Sequence, residues 1–234
     1  MTNPDWSEEI RRLYLSSAAN QFVVHGNVHD RLLLPGDEGA DARMGNLIDF
    51  LTEVQLRRFD IVVSYELGAG LRIEAGHEFF GELGFENDDL PSDPPHAIGY
   101  LDRLLRFLVN LRGLDGAQGE EGKLAGRNHH VAFVIKSAEL VFPLSRQTRD
   151  YQLHSMASVV RSWSHESHFL EQNLAVFLLS ENLNDLNHLL ARNSRAARIE
   201  IPMPGTEELV PLFGHFATRY PEALRHFAGD PAGP

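Results

Sequence analysis

Cysteine is absent from the 234 residues of the sequence. Disulfide bonds, thiolate metal sites and a cysteine nucleophile are therefore excluded. Long apolar runs are missing as well, because Glu, Arg or Asn interrupts each of them well before the ~20 residues that a membrane-spanning helix needs. The start of the chain, residues 1–6, is polar and shows no signal-peptide pattern. We therefore expect a cytoplasmic protein without a membrane partner.

Positive charge is also scarce. The sequence has 21 Lys and Arg against 33 Asp and Glu, which gives a formal net charge of -12. This balance opposes attraction to phosphate backbones, so we expect no nucleic-acid partner. The length and the 43% content of hydrophobic residues are typical of one large globular domain. We predict an N-terminal helix in residues 1–20, an α/β domain in 21–220, and a C-terminal tail or linker in 221–234.

Strand-like and helix-like segments alternate along the chain, which predicts a mostly parallel sheet covered by helices on both faces. Three of the strand-like segments are continuous apolar runs, so we expect them to be adjacent at the centre of the sheet. The five predicted strands are residues 21–25, 60–67, 131–135, 174–179 and 198–201. The predicted helices are residues 7–19, with Ser7 as N-cap, then 47–59, 97–111, 151–164 and 206–219. Residues 71–74 extend the second strand as a hairpin.

The stretch from residue 174 to residue 204 carries the most specific pattern. A buried strand ends in Ser180-Glu181-Asn182, and arginines then precede a strand that Pro202 stops. This pattern and the order of elements over residues 21–219 resemble the core of AAA+ ATPases. The resemblance implies a P-loop-like three-layer sandwich with a five-stranded sheet in the order 5-1-4-3-2. It also implies ligand chemistry at the carboxyl ends of the strands.

Three positions match functional positions of that family. Asn182 resembles the polar sensor residue, although Asn184 fits if the register shifts. Arg195 and Arg198 resemble the region of the arginine finger, which reaches the γ-phosphate held by a neighbouring subunit. The alternative for these arginines is structural, with one in a salt bridge and the other flanking a strand.

The phosphate-binding residues of the family are missing. A phosphate loop needs paired glycines, Lys and Ser or Thr after the first strand, where this chain has Gly26-Asn27-Val28-His29-Asp30-Arg31. The only Gly-Lys dipeptide, Gly122-Lys123, precedes the third strand and lacks the other glycine. After the third strand, Lys136 and Ser137 occupy the places of the metal-binding and water-activating acids. We therefore expect no catalytic residue and no cofactor.

Other side chains near the predicted strand ends have structural explanations as well. His25 and His29 are spaced like helical metal ligands but straddle a strand end, so we expect no metal site. Asp30 fits a helix-capping or loop-closing role as well as a ligand contact. What remains is a vestigial nucleotide-site region, made of Gly26, Asn27, His29, Asp30, Lys136, Glu139 and Asn182.

Three hypotheses about function follow. In the first, the chain is a degenerate, non-catalytic AAA+-like module. It packs against or regulates an active AAA+ domain in the same or another chain, and a homo-oligomer of the chain itself is also possible under this hypothesis. The absence of a helical lid after the last helix suggests that it is part of a longer protein. In the second, it is an enzyme or ligand-binding protein whose strand-end crevice uses His25, Asn27, His29, Asp30 and Glu139. In the third, it binds nucleotide without hydrolysis.

Overall fold

Eight strands are present in the computed structural model, which describes residues 3–36, 42–85, 90–113, 126–144 and 150–219. In chain order they are β1 (Gln21–Gly26), β2 (Leu32–Leu34), β3 (Arg43–Gly45), β4 (Ile61–Glu66), β5 (Gly70–Ala75), β6 (His130–Ile135), β7 (Asn173–Ser180) and β8 (Ala196–Ile201). β2 and β3 form a small antiparallel hairpin, and the other six strands form one sheet.

The main sheet has the order β5-β4-β6-β7-β1-β8. The five strands predicted from the sequence are all parallel to one another and follow the predicted order 5-1-4-3-2. The sixth strand, β5, pairs antiparallel with the outer side of β4, where a hairpin was expected. The three strands with continuous apolar runs, β1, β6 and β7, are consecutive and internal, as their composition requires.

The helices of the described residues are α1 (Asp5–Leu15), α2 (Leu47–Phe50), α3 (His77–Glu82), α4 (Pro94–Arg112), α5 (Ala138–Val141), α6 (Tyr151–Ser162), α7 (Ser167–Leu170), α8 (His188–Ala191) and α9 (Thr206–Arg219). A π-helical segment, Leu51–Gln55, continues α2. The prediction that Ser7 caps the first helix is wrong. The helix begins after Pro4, and the buried Ser7 hydroxyl donates to Gln55 Oε1 at 2.6 Å, which ties α1 to the segment after α2.

Alternating side chains of the strands enter two separate hydrophobic cores. Val23, Phe133 and Val176 face one core, which helices α3 to α8 cover. Phe22 and Phe177 face the other core, where their rings stack at 5.3 Å and helices α1 and α2 pack over them. Burial of a large apolar side chain contributes roughly 1.5–3 kcal/mol, so both layers of helices are needed. The predicted three-layer α/β sandwich is confirmed.

The C-terminal helix α9 differs from the others because none of its residues is buried. Its apolar side chains Val210 and Phe213 are 63% and 56% exposed. The predicted tail, residues 221–234, and the Gly122-Lys123 dipeptide lie outside the described residues. None of the helices that the structure describes has the length and apolarity needed to cross a membrane.

Candidate functional site at the carboxyl edge of the sheet

The carboxyl ends of β1, β7 and β8 border an open cleft of about 500 Å³. This is the edge of the sheet at which the sequence predicts ligand chemistry, beside the first strand. The residues that line the cleft are Gly26, Asn27, Val28, His29, Glu181, Glu200, Ile201, Pro202 and Met203.

Gly26 turns the chain out of the sheet with a φ of +94°. A side chain is excluded here, because a Cβ atom on Gly26 would lie 2.7 Å from the carbonyl oxygen of Ile201. The turn brings three successive backbone amides against protein carbonyls. Gly26 N donates to Glu181 O at 3.2 Å, Asn27 N donates to Ile201 O at 3.0 Å, and Val28 N donates to Gly26 O at 2.8 Å. These amides are therefore already hydrogen-bonded within the protein.

The polar side chains of this loop also bond to each other. Asn27 Nδ2 donates to the Asp30 carboxylate, which gives Asp30 a loop-closing role. His29 Nε2 lies 3.0 Å from Glu181 Oε1, and both side chains are about two-thirds exposed, at 64% and 67%. In the described part of the chain, no three His, Asp or Glu side chains gather closely enough to hold a metal ion.

The charge of the cleft is negative. Glu181 and Glu200 line it, and no Lys or Arg is among the lining residues. Because two carboxylates face the same open space, they repel an approaching phosphate and favour a cation or a neutral group.

A helix N-terminus, which completes a phosphate loop, is not found beside the end of β1 in the described residues. The strand leads into a loop and the β2–β3 hairpin, and α2 begins only at Leu47. The first turn of α2 is closed by a reciprocal cap, because Asp49 N donates to Asn46 Oδ1 and Asn46 N donates to Asp49 Oδ2, both at 2.9 Å. The negative charge of Asp49 at this end further opposes an anion.

Lys136 lies on the other half of the sheet. Its amide donates to Tyr65 O at 2.8 Å, and its ammonium group lies 3.4 Å from Glu74 Oε1 and 3.8 Å from Glu66 Oε2. The side chain is only 21% exposed. The two carboxylates hold the ammonium group toward the β4–β5 edge, and Lys136 does not line the cleft.

The segment after Lys136 has two unusual features. Ser137 has a φ of +45°, a left-handed backbone conformation that is uncommon outside glycine. Glu139, in α5, has a buried Oε2 atom with no hydrogen-bond partner in the structure. Neither residue lines the cleft, so Glu139 is not brought together with Asn27, His29 and Asp30.

Asn182 forms a turn of its own after β7. Its Oδ1 accepts a hydrogen bond from Asn184 N at 3.0 Å, and its Nδ2 donates to Asp185 Oδ2 at 3.0 Å. Both ends of the amide are therefore bonded within the turn, and Asn182 does not line the cleft.

The two arginines of the predicted finger region lie elsewhere. Arg195 precedes β8 at the amino edge of the sheet, opposite the cleft, and Arg198 lies within β8, the last strand on that side. Both are exposed, and neither forms an ion pair with any residue that the structure describes. Arg198 therefore lies in an edge strand, and a salt bridge is found for neither arginine among the described residues.

Sequence reasoning missed the two acidic residues that set the charge of the cleft. Glu181 follows a buried parallel strand directly, so its place at the carboxyl edge was a signal available in the sequence. Glu200 gave no such signal, because it lies inside β8, at the position before the last residue of that strand.

Comparison with known proteins gives one match in sequence. The profile of the family described as "AAA+ chaperone, N-terminal Rossmann-like domain" matches residues 2–202. No curated protein matches the sequence. Among solved structures, a chain from the "Structure of E. coli MS115-1 HORMA:CdnC:Trip13 complex" is similar with a TM-score of 0.47 and 14% identity over 92% of this chain. The chain spans 61% of that protein, and a likeness at this level carries no argument about function.

Proposed function

Because the chain belongs to the family of AAA+ chaperone N-terminal Rossmann-like domains, we propose that it is a non-catalytic AAA+ module. It packs against an active ATPase domain, in the same polypeptide or in another chain, and regulates it. In this proposal residues 21–220 form the module, and its own strand-end cleft neither binds nor hydrolyses ATP.

The observation that supports this proposal is the hydrogen bonding of the backbone amides in the loop after β1. A phosphate loop holds its ligand with free backbone amides, but the amides of Gly26, Asn27 and Val28 donate to carbonyls of the protein. If a phosphate took these amides, the carbonyls of Glu181 and Ile201 would lose their donors. Ile201 is buried, and leaving a buried acceptor unbonded costs about 1–3 kcal/mol. Glu181 and Glu200 add repulsion, and no lysine lines the cleft to offset it.

Exposed groups in and around β8 and in α9 support a role in docking. Arg195 and Arg198 are exposed without an ion pair among the described residues, and Met203 is 79% exposed beside them in the sequence. The exposed apolar side chains Val210 and Phe213 follow on α9. Exposed apolar side chains are typical of protein contact surfaces, and an active AAA+ domain is the partner that we propose for β8 and the chain that follows it. A second copy of the chain is the competing occupant.

The open cleft supports a second candidate function, in which the chain is an enzyme or a small-ligand-binding protein. A space of about 500 Å³ at the strand ends is large enough for a small ligand. The pair formed by His29 and Glu181 lies within it, and the two carboxylates favour a cationic ligand over a nucleotide.

Titration of the chain with ATP and ADP in the presence of Mg²⁺ tests the proposal that the chain does not bind nucleotide. We expect no saturable isotherm in the micromolar range and no phosphate release above background, because the anchoring contacts of a phosphate loop are missing. An AAA+ domain with an intact phosphate loop serves as the positive control. Saturable ATP binding would contradict the proposal.

If the chain does bind ATP, the variant Lys136→Ala shows whether Lys136 takes part in the binding. If ATP bound to the chain and Lys136→Ala abolished the binding, Lys136 would have left Glu66 and Glu74 to replace the missing loop lysine. Binding that is insensitive to Lys136→Ala would place the nucleotide at a different site.

A further inference from the structure

The outer edge of β8 has no strand beside it in the described part of the chain. β8 is the last strand of the sheet and pairs only with β1. Asn27 N donates to Ile201 O at 3.0 Å, so the backbone groups of Ile201 point toward β1. Because these groups alternate in direction along a strand, those of Ile199 also point toward β1. The N–H and C=O groups of Arg198 and Glu200 therefore point away from the sheet.

The usual protections of an edge strand are not found on β8. Natural edge strands avoid further pairing with lysines, prolines, bulges or a covering segment. β8 contains no Lys or Pro, and its register with β1 is continuous from Ala196 to Ile201. The helix that follows it, α9, buries none of its residues. Pro202 comes only after the last paired residue, so the edge of β8 is open to another strand.

The charges on this strand are complementary to themselves. Arg198 and Glu200 are both exposed, and neither forms an ion pair with a residue that the structure describes. They lie two positions apart, so their side chains point to the same face of the sheet. The strand therefore presents a positive group on one side of Ile199 and a negative group on the other. Read in the opposite direction, the same strand offers the opposite order of charges.

A second β8 strand that runs antiparallel, with a twofold axis at Ile199, matches both the backbone and the charges. In this register Arg198 lies opposite Glu200 of the second copy, and Glu200 lies opposite Arg198 of the second copy. Because both residues direct their N–H and C=O groups outward, each opposed pair exchanges two hydrogen bonds. Side chains of directly opposed residues are close enough to form an ion pair.

Other symmetric registers bring like charges together. An axis at Arg198 would place two arginines opposite each other. An axis at Glu200 would oppose two glutamates and would place Arg198 opposite Pro202, which has no N–H group. Like charges that are directly opposite destabilise a strand pair. The charges therefore select the register about Ile199.

The other face of the pair is apolar. In the same register Ile199 lies opposite its own copy, and Ala197 lies opposite Ile201 of the second copy. Ile199 and Ile201 belong to the core that α1 and α2 cover, and Ala197 packs against it. The cores of the two copies therefore adjoin across the pair, and no polar group is placed between them.

The cleft provides a separate indication of a cation beside Glu200. Glu200 lines the cleft together with Glu181, and no Lys or Arg is among the lining residues. In the register about Ile199, the guanidinium group of Arg198 of the second copy lies beside Glu200. It supplies the positive charge that the two carboxylates attract.

We propose that the free chain forms a twofold-symmetric dimer in which the β8 strands of two copies pair antiparallel about Ile199. The pairing joins two six-stranded sheets into one continuous sheet. The dimer does not rest on the proposal that the chain docks on an active AAA+ domain. Because both partners use β8, they exclude each other, and docking of an active domain requires that the dimer dissociate.

Sedimentation velocity of the 234-residue chain over a range of concentrations tests the proposal. A single pair of edge strands buries less area than a standard interface, so we expect a weak dimer with a Kd of about 100 µM or tighter. High salt should weaken it, because the ion pairs are exposed.

Charge reversal tests the contacts. Arg198→Glu and Glu200→Arg each place like charges opposite each other, so each should weaken the dimer about tenfold or more. The double variant Arg198→Glu/Glu200→Arg restores opposite charges and should return the Kd to within about threefold of that of the parent chain. Arg192→Glu is the matched control, because Arg192 is exposed and lies outside β8. Thermal unfolding verifies that each variant is folded.

A mixture of the two single variants tests the register. When a chain with Arg198→Glu meets a chain with Glu200→Arg, opposite charges face each other again at both opposed pairs. The two variants should therefore bind each other about tenfold more tightly than either binds itself. A fluorescent label on one variant measures this mixed dimer.

Three results would overturn the proposal. The first is a chain that stays monomeric at about 500 µM, well above the expected Kd. The second is a dimer that neither charge reversal weakens, and loss of such a dimer in Phe213→Ser would assign the interface to the exposed side chains of α9. The third is a pair of weakened single variants that do not bind each other when mixed, since the register about Ile199 requires that they do.

Discussion

Val23 and Arg198 lie opposite each other in the adjacent parallel strands β1 and β8, yet Val23 is fully buried and Arg198 is exposed. Paired residues of this kind point to the same face of a sheet. The layer of helices that covers Val23 therefore ends before it reaches Arg198. This uncovered face of the edge strand is part of the side that we propose for docking.

Replacing Val23 by Asp should prevent folding. The new carboxylate would be buried without a partner, at a cost of several kcal/mol against a total stability of about 5–15 kcal/mol. Phe177→Asp should act in the same way on the other core. Arg198→Asp is the matched control in the neighbouring strand, with an expected change of about 0.5 kcal/mol or less. Expression, solubility and thermal unfolding measure the effects, and a soluble Val23→Asp variant that melts cooperatively would show that this position is not core.

Gly26→Ala should destabilise the protein, because alanine in a left-handed conformation costs about 1–2 kcal/mol and its Cβ also meets the Ile201 carbonyl. Gly81→Ala is the control. Gly81 lies in α3 with open space around an added Cβ, so alanine should stabilise the helix by about 0.5–1 kcal/mol. Denaturant unfolding measures both changes. Equal stability of the two variants would contradict the geometry of the cleft loop.

Alanine variants of Arg195 and Arg198 test whether the chain docks on an active ATPase domain. If Arg195 or Arg198 reaches the γ-phosphate of an active partner, the alanine variant should lower the partner's ATPase rate by about tenfold or more. The melting temperature of this chain should hardly change, because neither arginine forms an ion pair among the described residues. Arg192→Ala is the control, since Arg192 is exposed nearby and outside the finger pattern. If neither variant changes the rate of a reconstituted partner ATPase, the trans-acting role is ruled out.

Burial raises the pKa of three of the five tyrosines, Tyr14, Tyr65 and Tyr100, and the first two should ionise late in a base titration. Burial raises the pKa of Tyr14 to about 12. Burial and then the negative charge of Asp93 raise the pKa of Tyr65 to about 12. A raised pKa favours the protonated form in the folded state, so the stability linked to these groups is complete below pH 10, the ordinary pKa, and is lost as the pH rises toward 12.

Near-ultraviolet absorbance of tyrosinate follows this titration. Tyr14→Phe and Tyr65→Phe should each remove part of the late component, and chain unfolded in denaturant should titrate in a single step near the ordinary value of about 10. A late component of undiminished size in both variants would assign the shift to other tyrosines.

The central place of three strands could be predicted because it depends on local composition, whereas the full strand order was an implication of the resemblance to AAA+ ATPases. A strand such as β6, apolar on successive residues, is stable only where helices cover both faces, and that condition places it inside the sheet. The missing phosphate-loop residues were equally visible, since they would have to follow β1 directly. The start of α1 was harder to predict from the sequence, because the Ser7 side chain bonds to Gln55, which lies 48 positions away.

The candidate site was predictable only in part. The sequence by itself determined the α/β class, the central strands and the residues that leave the end of β1, because each of these follows from neighbours along the chain. Only the tertiary structure decided that Lys136 turns toward Glu66 and Glu74 and that Glu200 faces the cleft. These outcomes depend on strand register and on hydrogen bonds between distant segments, and the pattern of residues within one segment does not specify them.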